Sequence, residues 1–193
     1  MGIIKYKQDV EKLFDKSAIV TNNSILKIIG KNNKNYTKRI LNYLIKKRII
    51  KRITKGYYTN RNENSMSVLC FQPAYLGLQD ALSFYDLWEQ ETIPIIITTK
   101  NIRSGIRKIL EKNVLIKKIN KKYFFGYEYH EIDNLALPYS DIEKTFIDLI
   151  YFKQPIDKEV IKNIKKKIDG KKLNLYLKKY PKKFREKVEN NLR

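Results

Sequence analysis

The sequence predicts an α+β protein in three parts: a small head of helices and a hairpin over residues 1–62, a mixed α/β domain over 66–152, and a basic helical appendage over 153–193. Three observations lead there. The first sixty residues alternate short amphipathic helical patterns with very short β-branched runs. The middle holds apolar, β-branched stretches such as "TIPIIITT" between helical patterns. The charge also changes along the chain: residues 1–62 carry 16 basic and 3 acidic side chains, 63–152 carry 10 and 12, and 153–193 carry 15 and 5. An AT-rich coding bias toward Lys, Ile and Asn would spread charge evenly. Concentration at the two ends of a chain with net charge +21 points instead to an anionic partner, nucleic acid or a membrane surface.

The elements of the head follow in order. Tyr6, Val10, Leu13 and Phe14 fall at i, i+4, i+7 and i+8 and predict a helix over about 5–15. "SAIV" at 17–20 is short enough for a small strand. Thr21 or Asn22 can cap a second helix with Ile25, Ile28 and Ile29 on its apolar face, and Gly30 is a natural stop. "KNNKN" at 31–35 reads as a turn. A third helix runs to about Arg48 and buries Ile40, Leu41, Leu44 and Ile45. Two short strands, 49–53 and 56–59, meet around Thr54-Lys55-Gly56, where glycine supplies a turn conformation closed to most residues. Helix, short strand, helix, turn, helix, hairpin is the order of a winged helix-turn-helix, in which the third helix enters the DNA major groove. The hairpin's inward face is expected to be Ile49 or Ile50, Ile53 and Tyr57.

Beyond the polar linker "NRNENS" at 60–65, "MSVLCF" reads as a strand and a helix is expected from near Tyr75 through Leu78, Ala81, Leu82, Tyr85 and Trp88. "TIPIIITT" is a strand and residues 102–111 read as a basic helix. "VLIKKINKKYFFGYEYH" suggests two or three antiparallel strands. "LALPYSDIEKTFIDLIYF" is an extended piece followed by a helix, with Ser140 and Glu143 in the spacing of a capping box. From Pro155 three helical patterns follow, punctuated at Asp169-Gly170 and Pro181.

Binding residues are expected on the third helix and the hairpin. Lys34, Asn35, Thr37, Lys38, Arg39, Asn42 and Lys46 lie opposite or beside the Ile40/Leu44 face, and Lys51, Arg52 and Lys55 lie on the hairpin. Asn pairs bidentately with adenine and Arg with guanine, while Lys meets phosphate. The bland alternative is a solvated helix face, and for the lysines of the tail that alternative is the stronger one.

Catalytic signals are poor. His130 is the only histidine and Cys70 the only cysteine, which excludes a histidine metal cage and an internal disulfide. His130 is expected to be structural or at the surface, and Cys70 a buried small hydrophobe. Asp141, Glu143, Lys144 and Asp148 form an acidic cluster of the kind a magnesium-dependent nuclease needs. Helix capping and the helix dipole explain Glu143 and Asp141 without chemistry, and that structural reading is the preferred one. No phosphate-binding glycine loop is present, so no catalytic residue, metal or cofactor is expected. No apolar run approaches the ~18 residues of a membrane span. The N-terminus has no signal-peptide pattern, and Tyr6 stands where myristoylation of Gly2 would want Ser or Thr. A cytoplasmic location is expected.

Three stretches together resemble the AbiEi family of type IV toxin–antitoxin systems. Gly56-Tyr57-Tyr58 matches the G-x-Y that closes the family's wing. Tyr75, Ala81, Leu82, Tyr85 and Leu87 match its following helix. Ala136, Pro138, Glu143, Lys144, Asp148 and Tyr151 match its later A-x-P-E-K-A-l-x-D-l-l-Y segment, with "YSDI" intervening between Pro138 and Glu143. The tail "IDGKKLNLYLKKY" is similar to the family's helical end. The resemblance implies a DNA-binding repressor of its own operon and an antitoxin. Its partners would be double-stranded DNA, as an operator with inverted repeats suited to a homodimer, and a nucleotidyltransferase-like toxin. Alternatives are a lone transcriptional regulator, a magnesium-dependent nuclease of a defence system and, third, an RNA-binding module using some of the 14 Tyr and 8 Phe for stacking.

Overall fold

The structure is a computed structural model that describes residues 5–30 and 32–192. Gly2, and Lys31 within the expected turn 31–35, lie outside the described residues. The chain is α+β and divides into two compact units: residues 1–70 with 108–112, and residues 71–107 with 113–193. Among the described residues no helix is long and apolar enough to cross a membrane.

The first unit contains α1 (Lys7–Lys16), β1 (Val20–Thr21), α2 (Asn22–Ile29), α3 (Lys34–Lys46), β2 (Lys51–Thr54) and β3 (Tyr57–Thr59). The strands form an antiparallel sheet in the order β1-β3-β2, with Tyr58 opposite both Val20 and Arg52. Local chemistry sets the helix ends. The Thr21 hydroxyl accepts the Ser24 N–H at 3.1 Å and caps α2, and Gly30 ends it with φ +103°. After α3 the Arg48 N–H bonds the Ile45 carbonyl and the Ile49 N–H the Leu44 carbonyl, a Schellman closure with Arg48 left-handed at φ 58°. Gly56 turns the hairpin with φ +82°, a value that strains any other side chain. Val10, Phe14, Val20, Ile25, Ile29, Ile40, Leu41, Leu44, Ile50 and Tyr58 make the core. The hairpin thus buries Ile50, Ile53 and Tyr58, whereas Ile49 is exposed and Tyr57 half-buried. The register that pairs Tyr58 with Val20 turns Tyr58, not Tyr57, onto the helices.

The second unit is built on a mixed sheet in the order β6-β7-β5-β4-β9-β8, from β4 (Ala74–Leu76), β5 (Ile95–Thr98), β6 (Gly105–Ile109), β7 (Lys112–Lys118), β8 (Tyr127–Ile132) and β9 (Leu135–Ser140). β4/β5 and β8/β9 pair antiparallel, β4/β9 and β5/β7 parallel. Helices α4 (Gln79–Phe84), α5 (Ile142–Tyr151), α6 (Lys158–Lys167), α7 (Gly170–Leu177) and α8 (Lys182–Asn191) complete it. Ile164, Leu173, Leu177 and Val188 from the last three, with Tyr180 between α7 and α8, share one core with Tyr75, Leu82, Ile97 and Phe146.

Several expectations for the middle of the chain are corrected. Residues 102–111 are not a helix. Ile102, Ile106 and Ile109 have helical spacing, but the segment pairs with β7 as β6 and turns at Leu110-Glu111, so tertiary pairing outweighs the local pattern. "MSVLCF" lies in a 3-10 helix over Ser65–Phe71, an ambiguity inherent in short apolar runs. Tyr75 belongs to β4, and the helix after it starts only at Gln79. Cys70 is buried.

Candidate nucleic-acid interface

The third helix separates its side chains cleanly. Thr37, Ile40, Leu41 and Leu44 are buried, while Lys34, Asn35, Lys38, Arg39, Asn42 and Lys46 are exposed on the opposite face. At 100° per residue those six span a broad arc centred away from the core. Lys51, Arg52 and Lys55 are exposed on β2 and its turn. Thr37 stands apart from the other expected residues: it is 4% exposed, and its hydroxyl donates to the Asn33 carbonyl at 3.1 Å, one turn back in the helix. Its hydroxyl is thus tied to the helix backbone, although the residue still lines the cleft beside this face.

A cleft of about 370 Å³ lies beside this face, lined by Asn22, Asn23 and Leu26 of α2, Lys34, Lys38 and Asn42 of α3, and Tyr58 of β3. The cleft brings Lys34, Thr37, Lys38 and Asn42 together. Asn35, Arg39, Lys46 and Lys55 lie outside it. Asn22 and Asn23 were not expected there; the sequence signal was their place in the first turn of a helix that Thr21 caps. Asn22 is itself held by its N–H bond to the Gly56 carbonyl, 3.0 Å, which ties the start of α2 to the hairpin turn.

No family model matches the chain, and no curated protein matches it. Its fold is similar to the crystal structure of the RV2827C protein from Mycobacterium tuberculosis, with a TM-score of 0.61 over 99% of this chain and 76% of that one, at 11% identity. At that identity the likeness is one of fold.

The acidic cluster of the second unit has a different character. Lys144 and Asp148 are fully buried one turn apart on α5; the Lys144 ammonium donates to one Asp148 oxygen and the Tyr75 hydroxyl to the other at 2.6 Å. The ammonium also lies over the rings of Phe125 and Tyr75, at 5.3 and 5.6 Å from their centroids. Burial pushes the Asp148 carboxyl up, the Lys144 ammonium down, and the Tyr75 phenol well up, the latter with help from the Asp148 charge. Asp141, not Ser140, caps α5: its carboxylate accepts the Lys144 N–H at 2.7 Å, the Tyr176 hydroxyl at 2.7 Å and the Lys172 ammonium at 3.1 Å. Glu143 does not turn back to Ser140 as a capping box would; it accepts the Asp169 N–H at 2.7 Å. The Ser140 hydroxyl pairs with Thr145. Adjacent Ser140 and Asp141 are both competent caps, and only the chain path decides between them. Each carboxylate of the cluster is therefore engaged by donors of the chain itself. His130 is half-buried against Phe84 and Tyr85.

Proposed function

We propose that the chain is a sequence-specific double-stranded DNA-binding regulator whose first unit acts as a winged helix-turn-helix, α3 reading the major groove and the β2–β3 hairpin flanking it as the wing. The observation that carries this reading is the outward arc of α3: six cationic or amide side chains with an apolar face behind them. Asn42 and Arg39 have the chemistry to read adenine and guanine edges, and the lysines the chemistry for phosphate. The cleft beside α2 adds Asn22 and Asn23, whose amide side chains have the chemistry to meet phosphate beside Lys34 and Lys38. Together with the AbiEi-like motifs, this supports a repressor of its own operon that serves as a type IV antitoxin to a nucleotidyltransferase-like toxin. The function is binding, without catalysis by this chain.

The test is titration of the full chain against the DNA upstream of its own reading frame and against unrelated duplexes, at several salt concentrations. With five to eight phosphate contacts, log affinity falls against log salt with a slope of about −5 to −7. The upstream DNA should bind at least ~10³-fold more tightly than unrelated DNA. Equal affinity for both would remove sequence-specific regulation, and a flat salt response would remove the interface itself. Growth rescue on co-expression with a toxin encoded alongside tests the antitoxin role.

A further inference from the structure

A second basic groove exists in the first unit, away from the side chains singled out on the α3 arc. It has a volume of about 630 Å³ and is lined by Ile45 at the end of α3 and Arg48 just after it, Lys51 and Arg52 on β2, Lys108 near the end of β6, and Glu111 in the β6–β7 turn. The turn is distant in sequence but is fixed to this unit: Asn64 donates its amide to the Ile109 carbonyl at 3.3 Å, and Ile109 is buried. Arg48, Lys51, Arg52 and Lys108 are all exposed, and among the described residues none of them is in an ion pair. Two are steadied by neutral partners: Lys51 donates to the Asn62 side chain and Arg52 to the Thr54 carbonyl. Four cations converge on one groove with a single carboxylate at its rim.

We propose that this groove is a second backbone clamp, in which the β6–β7 hairpin supplies Lys108 to grip the same strand of duplex DNA that Arg48, Lys51 and Arg52 meet. The inference rests on the DNA-binding reading and extends it to a segment outside the helical head. The occupant follows from charge and continuity. The groove begins at the last residues of the proposed reading helix and runs along the outer strand of the proposed wing, where the flanking phosphates of a bound duplex lie. It presents point and fork donors but no aromatic platform on which unstacked bases could sit, which favours the sugar–phosphate backbone over single-stranded bases. Glu111 weakens the clamp by repelling phosphate.

The experiment is a salt series on the full chain with a random-sequence duplex of about 30 base pairs, since phosphate contacts need no operator. Lys108→Ala should make the slope of log affinity against log salt shallower by about 0.9, the loss of one phosphate contact. Glu111→Gln should tighten binding to every duplex, and Lys183→Ala, on α8, should leave the slope unchanged. An unchanged slope for Lys108→Ala, with Lys38→Ala still reducing it, overturns the clamp and leaves the DNA-binding reading standing. An equal reduction for Lys183→Ala overturns it as well, because the effect is then bulk charge. Absence of duplex binding by the unmodified chain overturns both.

Discussion

In the first unit, Lys34, Lys38 and Lys46 stand in solvent on a helix whose opposite face is apolar; in the second, Lys144 has no exposure and lies between aromatic rings with its ammonium on Asp148. The same residue type does two kinds of work. An exposed lysine keeps its hydration and offers its charge to a partner. A buried one has lost its hydration and is tolerated only because the Asp148 carboxylate and ring faces replace water. The lesson concerns conspicuous motifs. Glu143, Lys144 and Asp148 look like chemistry on paper, yet all three are buried and bonded within the fold, while the plainer Asn and Lys face of α3 is left open to the outside.

The largest predicted effect breaks the buried pair. Lys144→Met leaves Asp148 charged, buried and short of its main partner, at a cost of about 3–5 kcal/mol. Adding Asp148→Leu removes the orphaned charge and should recover most of that loss, with the Tyr75 hydroxyl then lacking its acceptor. Urea unfolding of the two variants measures both. If Lys144→Met alone costs less than about 1 kcal/mol, the pair is not bonded within the fold as described and the contrast between the units collapses.

The next effect sharpens the other side of the comparison. Arg39→Ala or Asn42→Ala should cost about 1–3 kcal/mol of discrimination between operator and unrelated DNA. Lys55→Ala should weaken all duplexes alike, because the turn of the hairpin faces phosphate in the proposed arrangement. Both groups of side chains are exposed, so thermal stability should hardly move. Competition titrations with specific and random duplexes separate the two outcomes; uniform loss in all three variants would deny α3 its reading role.

Much of the first unit was legible because its signals are local. Thr21 before an apolar helix, Gly30 after it and the Ile40/Leu44 spacing each fix a feature within a few residues. The second unit was harder because long-range pairing decides it. Ile102, Ile106 and Ile109 fit a helix as well as a strand, and only β7 settles the matter. The turn that follows uses Leu110 and Glu111 at φ 48° and 69°, with neither of the Asn-Gly residues that advertise such a hairpin. Asp133 and Asn134, in the β8–β9 turn, are residues better suited to that backbone. Lys108 and Glu111 could not be assigned to a groove with Arg48 and Lys51 from sequence, since some sixty residues separate them. Thr37 differs from the other expected residues in a way the spacing could have shown: at 100° per residue it falls between Leu44 and Leu41, so it is buried on the apolar side of α3 while still lining the cleft.

A smaller effect should appear at high pH in the second unit. Burial raises the phenols of Tyr75, Tyr176 and Tyr180, and that of Tyr85 to about 12. A phenol whose folded pKa lies above its unfolded value of about 10 binds more proton in the folded state over that window. Stability is therefore fully present below about pH 10 and declines as pH rises from there through the folded values. Tyrosinate absorbance followed alongside circular dichroism checks it: these phenols should ionise late and together with unfolding. Complete ionisation of all 14 tyrosines in a chain that remains folded would contradict their burial.

The smallest effect compares one backbone feature across the two units. Arg48 after α3 and Lys153 after α5 both sit at the left-handed residue of a Schellman closure, with φ 58° and 53°. In the second, the Lys153 N–H bonds the Ile150 carbonyl and the Gln154 N–H the Leu149 carbonyl, the same pattern as at Arg48. Glycine relieves about 1–2 kcal/mol of left-handed strain in the folded chain. It returns about 0.4–1 kcal/mol of that by loosening the unfolded one. Arg48→Gly and Lys153→Gly should therefore each stabilise by roughly 0.5 kcal/mol, a small rise in melting temperature. Their effects on DNA should part. Arg48 lines the basic groove, so its loss should weaken duplex binding at low salt and make the salt dependence shallower, even as the fold becomes more stable. Lys153 belongs to the second unit, and its replacement should leave binding unchanged. Equal loss of affinity in both variants would mean that total charge, and not its placement at the end of α3, governs the interaction.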